Sequence, residues 1–100
     1  MPRFAVFIDG RAEIEAREAY LWYLDRNPRA AASFQGEMEA AIASLEESAH
    51  SFPEVAPGTR RRLFHRFPYA LLFRIVGQQV QVAAVMHLRR EPGYWKRRRQ

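Results

Sequence analysis

YALLFRIVGQQVQVAAVMH, residues 69–87, is the stretch that decides the fold. Over 69–76 the residues Tyr69, Leu71, Phe73 and Ile75 alternate onto one side, and over 79–87 Val80, Val82, Ala84 and Met86 do the same, which is the period of a β-strand. Aromatic and β-branched residues fill both runs, as strands prefer. Gly77-Gln78 leaves room only for a tight turn, so the two strands pair antiparallel. The opposite side of the first carries Ala70, Leu72 and Arg74; that of the second carries Gln81, Ala83, Val85 and His87.

Upstream, TRRRLFHR (59–66) reads as a further strand, joined to the first of these by Phe67-Pro68. Its alternation groups Arg60, Arg62, Phe64 and Arg66 on one side and Arg61, Leu63 and His65 on the other. HSFPEVAPG (50–58) holds two prolines and a glycine and is expected to be a loop. Before it, Ala31, Phe34, Met38, Ala41, Ile42, Leu45 and Ala49 recur at helical spacing as one apolar stripe. Asn27 caps that helix and Pro28 supplies its first position. An earlier helix ends at Arg26 and buries Ala12, Ala16, Ala19, Tyr20 and Tyr23. RFAVFID (3–9) is the opening strand, apolar on both sides.

The order is therefore β-α-α-β-β-β, an α+β fold in which an antiparallel helical hairpin packs on one face of a small, twisted, mainly antiparallel sheet. At 100 residues, 48% hydrophobic, the chain is expected to be a single domain over 1–100, with residues 88–100 as a basic and aromatic tail. There is no cysteine, which excludes a disulfide framework and a thiolate zinc site. Three histidines scattered over different elements lack metal-ligand spacing, so no metal or other cofactor is expected. No secretion signal and no apolar run of membrane-spanning length is present, and the expectation is a soluble cytoplasmic protein without a membrane partner.

Charge divides the chain. Residues 1–50 hold five arginines against nine acidic residues, whereas residues 51–100 hold ten arginines and Lys96 against two glutamates. One strongly positive surface follows, suited to phosphate or to an acidic protein segment. Arginine outnumbers lysine fifteen to one, and its planar fork binds such anions through paired hydrogen bonds.

EAYLWYLDRNPRAAASFQGEMEAAIASL, then RRRLFHRFPYALLFRI, then VQVAAVMHLRREPGYW resemble the RelE/ParE family of toxins from bacterial type II toxin–antitoxin modules over nearly the whole length. The Asn-Pro-x-Ala-Ala helix start, the Phe-Pro-Tyr connection and the closing His-x-x-Arg-x-Pro-x-Tyr-Trp carry the resemblance, and AVMHLRREPGYW is closer to the ParE side. The resemblance implies growth inhibition and neutralisation by a cognate antitoxin, whose acidic segment wraps the toxin and whose other part binds operator DNA. ParE-like members inhibit DNA gyrase without catalysis; RelE-like members cut mRNA on the ribosome without metal. A third possibility is an inactive homologue that serves only in the antitoxin-bound repressor complex.

Metal-free RNA cleavage needs a base, an acid and cations beside one phosphate. Arg62 or Arg74 could supply the cation, His87 the base or acid, and Tyr94 could return to the same edge; Arg62, Arg74 and His87 are expected to converge on the face away from the helices. For such chemistry the resemblance also brings lysines, which have no counterpart here. His87 has an alternative reading as a strand-end residue bonded to a backbone carbonyl or to the Tyr94 ring. Arg60, Arg61, Arg62, Arg74, Arg89 and Arg90 are the candidates for binding target or antitoxin. Three consecutive arginines in a strand must point both ways, so at least one needs a partner on the helix side or at an edge. Tyr94 and Trp95 are expected to fold back over the sheet and anchor the tail, with Pro92 and Gly93 making the turn.

Overall fold

Asn27 stops one helix and starts the next. Its backbone N–H still donates to the Tyr23 carbonyl, closing helix α1 (Gly10–Arg26), while its side-chain Oδ1 accepts from the N–H groups of Arg29 and Ala30 and opens helix α2 (Pro28–Ser48). Asp9 caps α1 in the same way, accepting from Arg11 at 2.8 Å. With no residue between the caps to lengthen the connection, the helices fold back on each other.

A computed structural model describes residues 3–90 and 93–99. The strands are β1 (Ala5–Ile8), β2 (Glu54–Ala56), β3 (Thr59–Leu63), β4 (Tyr69–Val76) and β5 (Gln79–His87). A short 3-10 turn, Ala49–Ser51, follows α2, and a second 3-10 segment, Tyr94–Arg99, follows β5. The five strands form one sheet in the order β1-β5-β4-β3-β2. β1 lies parallel to β5, and every other pair is antiparallel. The α+β arrangement expected from the sequence is the one observed.

Two details differ from the sequence expectation. Residues 54–56, placed in a loop, form β2 against β3, and β3 ends at Leu63 where a strand to Arg66 was expected. Glu37 on α2 explains the early end: its two carboxylate oxygens accept the N–H groups of His65 (2.7 Å) and Arg66 (3.0 Å), which draws the chain out of the ladder. Gly58 and Gly77 take positive φ (75° and 61°) in the turns before β3 and β5, a conformation that glycine adopts at no steric cost.

The main core lies between the helices and the sheet. Phe34 is its centre, fully buried, with its ring 5.4–5.6 Å from those of Tyr23, Phe64, Phe67 and Tyr69. Leu45, Leu71, Phe73, Val80, Val82 and Val85 extend it along the sheet. A second, smaller cluster sits on the other face, where Trp95 packs on Leu72 and Ala84. Trp95 is 5% exposed, so it anchors the tail as expected. Gly93 turns with φ 80°, and Pro92 lies outside the described residues.

Candidate functional site

The pairing of β4 with β5 contains one irregularity that redistributes the site. Phe73 pairs with Val82 but Leu72 pairs with Ala84, so Ala83 is an extra residue in β5. Before it, Val80 and Val82 face the helices; after it, Val85 does so, and Ala84 and Met86 turn to the other side. His87 follows Val85 onto the helix side, directly opposite Tyr69, with its ring edge-on to the tyrosine at 4.9 Å.

This overturns the expected convergence of Arg62, Arg74 and His87. Arg62 pairs with Leu71, a residue of the main core, and its side chain lies on the helix side, where Nε donates to Ser44 Oγ on α2 at 3.3 Å. Arg74 is exposed on the opposite face, opposite Gln81, beside a shallow depression shared with Phe7 and Asp9. His87 is at the far end of β5. Residues directly opposite across a ladder share a face, so Arg74 is on the face opposite to the other two; Arg62 and His87 share the helix side but not a site, since Arg62 is held by α2 and does not line the cleft at which His87 stands.

The arginine triplet divides as strand geometry requires. Arg60 donates to the carbonyls of His50 and Phe52 and pairs with Glu54 at 3.8 Å, so it ties β3 to the end of the helical layer. Arg61 points to the other face, opposite Leu72. Its Nε is buried and, like Thr59 Oγ1, has no hydrogen-bond partner among the described residues.

What does gather is a cleft of 560 Å³ between α1 and the ends of β4 and β5. Trp22, Tyr23, Tyr69, Pro68 and Val85 give it an apolar lining, and His87, Arg89, Arg90 and Tyr94 stand along one side. His87 Nδ1 accepts the N–H of Arg89 at 3.0 Å, so the neutral ring carries its proton on Nε2. The Arg90 guanidinium lies over the Tyr94 ring, 4.1 Å from its centroid. The Tyr94 hydroxyl donates to Glu15 Oε2 at 2.7 Å, and the other carboxylate oxygen accepts the N–H of Val85 at 3.0 Å. Val85 lies beyond Val82, the last β5 residue that pairs with β1, so Glu15 takes a strand N–H past the end of that ladder.

Glu15 and Tyr69 were not singled out from the sequence. Glu15 carries a readable signal: it stands three and four residues from Ala12 and Ala19, both fully or nearly fully buried, and so borders the inward stripe of α1. The pKa of Tyr69 is raised by burial first and then by the neighbouring Tyr23 and Glu15; burial alone raises that of Tyr23. No group of three or more metal-ligating side chains occurs among the described residues, and no helix there is long and apolar enough to cross a membrane.

The model of the ParE toxin of the type II toxin–antitoxin system parDE matches residues 6–92. Toxin RelE1 of Caulobacter vibrioides is 33% identical over 86 residues, which cover 84% of this chain and 92% of the relative. In structure, the chain matches a chain of the chromosomal ParDE toxin–antitoxin system from P. aeruginosa with a TM-score of 0.75 at 19% identity, covering 86% of this chain and 97% of the other. That last likeness concerns the fold. The family match and the 33% relative go further, and together they show that the chain belongs to the RelE/ParE family of type II toxin–antitoxin toxins.

Proposed function

We propose that this toxin arrests growth in the cytoplasm by binding and inhibiting DNA gyrase, and that a cognate antitoxin neutralises it with an acidic segment laid over the arginines of β3. The observation that supports this reading is that neither Arg62, bonded to α2, nor Arg74, on the opposite face of the sheet, lines the cleft at which His87 stands. Cleavage of RNA needs its acid, base and cations around one phosphate, whereas a binding surface can use arginines that are spread apart. Arg61 and Arg74 on the open face, with Arg89 and Arg90 at the cleft, then serve as contacts to target or antitoxin. Operator DNA is reached through the antitoxin.

A second reading, a ribosome-dependent mRNA endonuclease, is favoured by one observation: His87, Arg89, Arg90 and Tyr94 do line a common cleft. There the imidazole would act as acid or base and Arg90 as the phosphate-facing cation. Purified toxin tested in parallel on gyrase supercoiling and on translating ribosomes separates the two. Loss of supercoiling with intact message is expected, and cuts in ribosome-bound message overturn the gyrase reading. In the same assays His87→Ala should keep full potency; a loss of killing with unchanged antitoxin affinity assigns the histidine to catalysis. No effect on either target would mark an inactive homologue kept for its repressor complex.

A further inference from the structure

The two edges of the sheet are finished differently. At one edge β2 is three residues long, is flanked by Pro53 and Pro57, carries Glu54 and has a shifted register against β3. Short length, proline, charge and irregular pairing are the features that keep a foreign strand from docking. β1, at the other edge, reads AVFI; it is one residue longer, and within it there is no proline, no charge and no shift of register.

Its backbone is laid out for a further neighbour. The N–H groups of Ala5 and Asp9 donate to the carbonyls of Gln78 and Val82, both at 2.9 Å. Odd-numbered residues therefore face β5, and the N–H and C=O of Val6 and Ile8 face outward, where no strand lies among the described residues. Phe7, between them, is 52% exposed on the face away from the helices, beside Gln81.

We infer that this edge pairs antiparallel with the β1 edge of a second copy of the chain, about a two-fold axis at Phe7. In that register Val6 stands opposite Ile8 of the second copy, and Ile8 opposite its Val6, so the outward donors and acceptors of both residues are satisfied. Phe7 meets Phe7 as a non-hydrogen-bonded pair, the closer kind, at a Cβ separation of about 4.5–5.5 Å. The two five-stranded sheets become continuous. Charge favours this occupant over an acidic segment of a partner: Arg60, Arg61 and Arg62 lie three strands away on β3, and the β1 edge carries both signs, with Arg3 and Arg74 beside Asp9 and Glu46, which suits a copy of itself better than a segment of one sign. A self-complementary edge needs no cations.

The chain has no cysteine, so Phe7→Cys places a single thiol at the proposed axis, and Val76→Cys, at a residue 47% exposed, serves as control. Under mild oxidation Phe7→Cys should form a disulfide-linked dimer about ten-fold faster than the control, because only it meets its own copy. Sedimentation of the unmodified chain should show a concentration-dependent dimer, with slower exchange of the Val6 and Ile8 amides as concentration rises. Phe7→Lys should weaken that dimer about ten-fold or more by opposing like charges across the axis. Should that variant misfold, the unmodified chain and the cysteine pair decide alone. A monomer at every concentration, or equal cross-linking at both positions, overturns the inference. So does protection of Val6 and Ile8 that arises only on adding antitoxin, which would assign the edge to the antitoxin.

Discussion

The two faces of the sheet are covered in different ways. On one, a helical hairpin contributes Phe34, Met38, Leu45 and Ala41 to a core that runs the length of β4 and β5; on the other, Trp95 packs on Leu72 and Ala84, with Ala56, Met86 and Tyr94 around them. The first core comes from two helices that each bury a full stripe, so its contacts support one another. The second depends on a segment whose holds include the Trp95 indole, the Tyr94–Glu15 hydrogen bond and the Arg90 guanidinium over the Tyr94 ring. The difference teaches that the helix face holds the fold, while the tail face decides where Arg89, Arg90 and Tyr94 stand.

Removing the centre of the large core is the harshest way to break that contrast. Phe34→Ala should cost about 3–5 kcal/mol in urea-induced unfolding, since it empties a site ringed by four aromatic side chains. Trp95→Ala should cost about 2 kcal/mol, less than a core aromatic because the segment it anchors can lift away while the sheet stays folded. Its mark is faster amide exchange at Tyr94 and Lys96 with the α1 and α2 amides unchanged. A Phe34-sized loss of global stability would show that both faces fold as one unit.

Smaller effects sharpen the contrast. Glu15→Gln exchanges a charged acceptor for a neutral amide and should cost about 1–2 kcal/mol. A double-mutant cycle with Tyr94→Phe measures how much of that belongs to the link between α1 and the tail. Smallest is the alkaline response. Burial holds Tyr69 and Tyr23 protonated in the folded state beyond the ordinary tyrosine value of 10.0. The unfolded chain therefore loses those protons first, and the stability they contribute is intact below about pH 10 and falls as pH rises through their raised values. Tyr69→Phe should flatten part of that fall in thermal melts taken at increasing pH.

Much of this architecture was legible in the residues. β4 and β5 carry the bounds that their alternation predicts, and the Asn27-Pro28 break places the helical hairpin to the residue. The site was less legible, for one physical reason. VAAVMH is apolar on both faces of the strand, so adding Ala83 to the ladder changes which residues face the helices without disturbing any visible pattern. A polar residue at 84 or 86 would have revealed the switch. Arg62 was misplaced by a related ambiguity: three identical residues carry no inside or outside, and only the opposition of Arg62 to Leu71 orients them. β2 escaped notice because three residues between prolines give too short a run for any period to appear.

The parallel pairing of the first strand with the last sets an order of assembly. Ala5 meets Gln79, so this ladder spans most of the chain, while the helical hairpin and the β3-β4-β5 meander close over short loops. Loop closure over such a span is slow compared with local pairing. During synthesis, which proceeds from the N-terminus, β1 must wait for β5 to be made before it has a neighbour. The finished toxin surface, including the cleft beside His87, therefore comes into being only once β5 and the segment that carries Tyr94 have been made.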